Sequence, residues 1–131
     1  MDPLRVIVVD DSPVMLRSMA RLLVGLPGVQ VVARAASGVE ALEASGRLRP
    51  DLVLIDLAMP GMDGLEASRR HSAASDAPTV ILTTVHDLPE YREAALAAGA
   101  LDLLIKSELG RLLGPALRLV PRRPADGPRP R

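Results

Sequence analysis

Asp10-Asp11, Asp56, Thr83-Thr84 and Lys106-Ser107 each follow directly on a short apolar run. Three carboxylates, a hydroxyl and an ammonium can do chemistry if the fold brings them together. Carboxylates crowded within a few ångströms repel, and one takes up a proton unless a cation joins them. Hard oxygen ligands of this kind suit Mg²⁺, which takes about six ligands and usually keeps several waters. Lys106 is the only lysine; the other fifteen of the sixteen basic residues are arginine. Lysine offers a compact point charge on a flexible stem, whereas arginine is a rigid fork that prefers bidentate partners. A divalent cation, an ammonium and a hydroxyl donor form a site suited to a phosphoryl group, whose transfer depends mostly on positioning and charge neutralisation. A carboxylate flanked by these cations can serve as the nucleophile, and Asp56 is the best candidate. Any one of these acids taken alone reads as a turn residue or a helix cap. The set reads differently, because all its members fall at the same end of separate apolar runs.

Those runs are Leu4–Val9, Val29–Ala36, Leu52–Ile55, Thr79–Leu82 and Leu101–Ile105. The first and third are nearly continuous aliphatic stretches, as strands buried on both faces require. Helical patterns lie between them. Met15, Met19, Leu22 and Leu23 share one helical face. Ser12 and Pro13 can start that helix, and Gly25 can stop it. Ser37 to Glu40 reads as a capping box opening a second helix. Gly64–His71 forms a weaker third. Asp87-Leu88-Pro89 opens a fourth, closed by Gly99. A fifth is expected from about Glu108, kinked or broken by Gly110, Gly114 and Pro115. Alternating strands and helices predict an α/β fold with a parallel sheet covered on both faces. In such sheets ligands bind beyond the carboxyl ends of the strands, near a topological switch point. Asp10, Asp11, Asp56, Thr83 and Lys106 are all expected at that edge.

The chain has 131 residues, no net formal charge and 48% apolar residues, which suits one globular domain. No apolar run approaches the roughly 20 residues of a membrane span. The first ten residues lack the apolar length of a secretory signal. The absence of cysteine excludes disulfides and thiolate metal sites. A cytoplasmic location is expected. The last eleven residues hold four arginines against one aspartate, while residues 1–120 hold 12 basic and 15 acidic side chains. This Pro/Arg-rich stretch, 121–131, is expected to be a disordered tail or a truncated linker.

Four stretches, VIVVDDSPVMLR at 6–17, DLVLIDLAMPGMDGLEA at 51–67, VILTT at 80–84 and GALDLLIKS at 99–107, resemble the receiver domain of two-component response regulators. The resemblance covers about residues 4–120 and is strongest in MPGMDGLEA. Its flavour is that of the subgroup that usually carries a LuxR-type helix-turn-helix output domain. The resemblance implies a flavodoxin-like, doubly wound, five-stranded (βα)5 fold. It implies Asp56 as phosphoacceptor, with a sensor histidine kinase or phosphotransfer protein as donor. It implies Mg²⁺ bound by Asp11, Asp56 and the Ala58 carbonyl, with Asp10 acting through water. Thr83 and Lys106 would contact the phosphoryl oxygens, and the surface of helix 4, strand 5 and helix 5 would dock a downstream target or a second copy. The chain departs from the family in three places. Leu103 stands where an aromatic is usual, Ser107 replaces a proline that is often cis after the lysine, and Gly114-Pro115 interrupts the last helix. A trans bond is expected at Ser107. No DNA-binding domain fits in the residues after 120, so the chain is expected to be either a stand-alone receiver or one separated from its output domain.

Other readings compete. A phosphate-ester hydrolase of the haloacid-dehalogenase type would want a second aspartate two residues after the nucleophile, where Ala58 stands, so no enzyme beyond self-catalysed phosphorylation and dephosphorylation is expected. A nucleotide- or flavin-binding domain would want a phosphate-cradling loop where Asp10-Asp11 stand. An atypical receiver that binds partners without phosphorylation is the remaining alternative. His86 is expected at the rim of the site, and His71 at the end of the third helix, where an imidazolium would favour the dipole. Tyr91, the only aromatic, is expected on the fourth helix. The methionines at 15, 19, 59 and 62 are expected to be packing residues.

Overall fold

The computed structural model describes residues 2–123. Five strands, β1 (Leu4–Val9), β2 (Val29–Ala35), β3 (Leu52–Asp56), β4 (Thr79–Thr84) and β5 (Asp102–Ile105), alternate with five helices. The helices are α1 (Pro13–Val24), α2 (Gly38–Leu48), α3 (Gly64–Ser72), α4 (Pro89–Ala97) and α5 (Leu109–Leu117). The strands form one parallel sheet in the order β2-β1-β3-β4-β5. The order reverses between β1 and β3, which is the switch point where a crevice opens. The flavodoxin-like (βα)5 fold is therefore as expected.

Alternation along the strands divides the core into two faces. Ile7, Val9, Val53, Ile55, Val80 and Leu82 meet the alanines of α2, α3 and α4. Val6, Val8, Leu52, Leu54 and Ile81 meet Met19 and Leu23 of α1 and the leucines of α5. β3 is central and wholly buried, which is why its sequence is apolar on both faces up to Asp56. Among the described residues no helix is long and apolar enough to cross a membrane.

Local chemistry sets the helix starts. Ser12 Oγ accepts the Met15 N–H at 3.2 Å with Pro13 at the first position, and Ser37 Oγ accepts the Glu40 N–H at 3.2 Å. Such caps contribute about 1 kcal/mol each. The fourth helix starts differently: Leu88 precedes it without a side-chain cap, and Pro89 alone sets its entry. Gly99, at φ 90°, closes it, and a Cβ there would collide with Ser72.

Three expectations need correction. The fifth helix does not break at Gly110, Gly114 or Pro115. It runs unbroken over nine residues with Pro115 inside, because Leu109, Leu113, Ala116 and Leu117 bury one face against β5 and α1. That packing outweighs the poor propensity of its glycines and proline. Leu22, expected on the inner face of α1, is turned outward at 38% exposure, and Ala20 is buried instead. His71 lies in the last turn of α3, as expected, but not as an imidazolium facing the dipole. It is a core side chain whose Nδ1 lies 2.8 Å from the Ala67 carbonyl, and burial holds its pKa below the usual value, in the neutral form. The methionines pack as expected, with Met19 and Met59 buried and Met15 and Met62 against the core. The Ser107 bond is trans. Of the tail, Pro121, Arg122 and Arg123 continue along the base of the sheet, and residues 124–131 lie outside the described residues.

Candidate functional site

The parallel sheet delivers the candidate side chains to one edge. Asp10 and Asp11 follow the last residue of β1, Asp56 is the last residue of β3, and Lys106 follows the last residue of β5. Thr83 pairs with Asp56 in register across β3 and β4. It lies within β4 rather than just beyond it, as does Thr84.

Carboxylate oxygens of Asp10, Asp11 and Asp56 lie within 4.8 Å of one another. Asp10 is buried and doubly engaged: Oδ1 accepts the Ser12 N–H at 2.9 Å, and Oδ2 accepts from Lys106 Nζ at 2.7 Å. Lys106 Nζ is also 3.2 Å from Asp56 Oδ1. Asp11 is the exposed member of the cluster. Ala58 sits on the exposed rim two residues past Asp56, and its N–H donates to Asp56 Oδ1 at 3.4 Å. Thr83 is fully buried, and its Oγ1 has no hydrogen-bond partner among the described residues. A buried hydroxyl without a partner carries an unmet desolvation cost, which an incoming oxygen at the site can relieve.

The electrostatics follow from this crowding. Burial pushes the Asp56 carboxyl above its ordinary value; the Lys106 charge pulls it down and the Asp10 charge pushes it up, and the net direction is upward. Burial pulls the Lys106 ammonium down, but its hydrogen bond to Asp10 and the charges of Asp56 and Asp10 outweigh it, so its pKa is raised and it stays charged. Three carboxylates against one ammonium leave an excess of negative charge. A hard divalent cation fits that deficit and the all-oxygen donor set.

The β3–α3 loop holds this geometry through its backbone. The Leu57 N–H donates to the Thr83 carbonyl at 2.8 Å, and the Gly64 N–H donates to the Leu57 carbonyl at 2.9 Å. A Cβ on Gly64 would stand 2.3 Å from the Asp56 carbonyl oxygen, so only glycine fits. Gly64 is a positioning residue that sequence reading passed over, although its place at the end of the turn-rich AMPGMDG segment was a usable signal. Beside Asp56 opens a cavity of about 660 Å³, lined by Ala58, Met59, Thr84, His86 and Tyr91 among others. His86 is on the rim, as expected, with its N–H donating to Thr84 Oγ1 at 3.2 Å. Tyr91 is half-buried, on α4, against the core.

The profile of the response regulator receiver domain matches residues 6–115. The chain belongs to the response regulator receiver family. It is 44% identical over 106 residues to a protein-glutamate methylesterase/protein-glutamine glutaminase of Myxococcus xanthus, a match covering 80% of this chain and 30% of that protein. It is 37% identical over 117 residues to the response regulator GacA of Pseudomonas viridiflava, covering 89% of this chain and 55% of that protein. The chain thus spans between about a third and about half of the curated relatives it matches. Among solved structures it superposes on the signal receiver domain of the response regulator NarL from Mycobacterium tuberculosis with a TM-score of 0.85 at 32% identity, covering 90% of this chain and 95% of that one. A LuxR-family two-component response regulator from Aurantimonas gives a TM-score of 0.84 at 32% identity, over 89% of this chain and 84% of that one. Receiver domains of two-component response regulators act in phosphoacceptor signalling, and this chain is such a domain. Its relatives attach the domain both to methylesterases and to regulators.

Proposed function

We propose that this receiver is a Mg²⁺-dependent phosphoacceptor switch with Asp56 as the accepting group. One observation carries the reading: Lys106 Nζ reaches both Asp10 and Asp56, within a cluster of three carboxylates, beside the unpartnered hydroxyl of Thr83. Asp11 and Asp56, with the Ala58 carbonyl and with Asp10 through water, are the groups that would hold the metal. When bound, the ion would neutralise charge on the phosphoryl oxygens.

An oxygen of the Asp56 carboxylate attacks phosphorus of a phosphohistidine. An O–P bond forms, the P–N bond breaks, and the imidazole leaves with the electron pair. The donor is a sensor histidine kinase or a phosphotransfer protein. Lys106 pairs with one phosphoryl oxygen, and Thr83 donates its hydroxyl to another. Ala58 stands where a phosphate-ester hydrolase of the haloacid-dehalogenase type would carry its general acid, so the reading is a receiver that takes up and releases its own phosphoryl group.

Phosphorylation replaces the single negative charge of the Asp56 carboxylate with roughly −1.5 to −2 on a phosphoryl group beside Lys106 and Thr83. That charge biases the surface of α4, β5 and α5 between two forms, and a downstream target or a second copy docks there. Leu103 is buried at 2% exposure in the cluster that holds Ala95 of α4, so a change at Thr83 would reach the surface through the packing of α4 on β5. We assign the chain to the cytoplasm, where such kinases present their phosphohistidine. The test is titration with beryllofluoride, followed by amide resonances. The reading requires shifts at Thr83, Lys106 and α4 that depend on added Mg²⁺. Shifts independent of Mg²⁺, or none, would reject it.

A further inference from the structure

The opposite pole of the sheet carries a second set of charged contacts that the phosphoacceptor reading does not use. Asp51, just before β3, is buried at 5% exposure. Its Oδ2 accepts the Arg5 N–H at 2.8 Å, and its Oδ1 accepts the Arg123 N–H at 2.5 Å. The Arg123 guanidinium donates through Nη1 to Asp76 Oδ2 at 3.2 Å and through Nη2 to the Asp76 carbonyl. Its side chain is only 15% exposed, low for an arginine. Asp76 also takes Arg49 Nη1 at 2.7 Å. Arg49 stands in the left-handed region, at φ 49°, and its carbonyl accepts Arg5 Nη1 at 2.8 Å. One residue before the anchor, Arg122 Nη2 donates to the Gly28 carbonyl at 3.4 Å.

We propose that Asp51 and Asp76 form a clamp for the segment that follows α5, with Arg123 as the residue they hold. The clamp draws that segment from α5, on one face of the sheet, across the base of β1 and β3 to the α3–β4 loop on the other. The clamp thereby fixes the segment at Arg123, at the end of the strands remote from Asp56. The recognition is specific to arginine at 123. A buried carboxylate takes the backbone N–H, while a carboxylate and a carbonyl side by side suit a planar two-pronged donor better than an ammonium.

Limited trypsin cleavage after Arg122, under native conditions, tests this in the full chain. Cleavage requires the segment to leave the base, so it is slow in the wild type. It should be roughly tenfold faster in Asp76→Ala and in Arg123→Gln, both of which keep the Arg122 site. In parallel, exchange of the backbone amide at position 123 should be protected in the wild type and lose that protection in both variants. Asp51→Asn probes the same clamp, and if it fails to fold, the other two variants decide. Equal cleavage rates and equal amide exchange at position 123 in wild type and variants would overturn the clamp.

Discussion

Replacing Lys106 with methionine removes the one ammonium that both Asp10 and Asp56 touch. The Nζ–oxygen distances are 2.7 and 3.2 Å, and the three side chains are 11%, 1% and 9% exposed. At an effective dielectric of about 20, the two attractions are worth about 6 and about 5 kcal/mol before desolvation. Taking the ammonium out of water returns several kcal/mol of that. Methionine also leaves Asp10 and Asp56 facing each other uncompensated, a situation that typically costs about 3–5 kcal/mol when one member of a buried pair is deleted. Denaturant unfolding with metal chelated should therefore show a loss of about 3 kcal/mol or more. Excess Mg²⁺ should then restore stability to the variant by more than it adds to the wild type, since the lysine no longer repels the ion; a ligand at a hundred times its Kd contributes about 2.7 kcal/mol. A loss within about 1 kcal/mol, the range of exposed ion pairs, together with equal Mg²⁺ responses, would refute the reasoning.

Three further outcomes follow from the same geometry. Asp56→Asn should raise the denaturation midpoint at neutral pH: the folded-state pKa of Asp56 is raised, so its ionised form opposes folding, and the gain should shrink as pH falls through that raised value. Gly64→Ala should cost about 3 kcal/mol, because its Cβ meets the Asp56 carbonyl oxygen and the Leu57 Cα, both backbone atoms; urea unfolding and phosphoryl uptake should both suffer. His71 has a folded pKa lowered by burial, so the stability it confers is complete above its unfolded value of about 6.5 and is lost as pH falls from there through the folded value; His71→Phe should remove that acid-side slope from the stability profile.

How legible the molecule was in its residues depends on the physics behind each element. β1 and β3 could be read because a strand buried on both faces must be nearly continuously apolar, and the acids closing those runs marked the edge where the candidate site lies. The starts of α1 and α2 could be read because Ser12 and Ser37 do a local job that needs no tertiary context. α5 misled because its glycines and Pro115 speak against a helix, while the four side chains that hold it act through contacts distant in sequence. His71 misled for the same reason: its place on a helix end is local, but its burial is not. The nearness of Asp10, Asp11, Asp56 and Lys106 was legible since a parallel sheet sends every strand end to one side. The Thr83 hydroxyl without a partner, the close approach at Gly64 and the grip of Asp51 and Asp76 on Arg123 are three-dimensional facts with no periodicity to announce them.

Intact mass after incubation with a small phosphodonor puts the central claim to its most direct trial. Wild type should gain the mass of one phosphoryl group with Mg²⁺ present and none with the metal chelated, and Asp56→Asn should gain nothing in either condition. Equal uptake by Asp56→Asn and wild type, or no uptake by wild type with Mg²⁺, would contradict the assignment of Asp56.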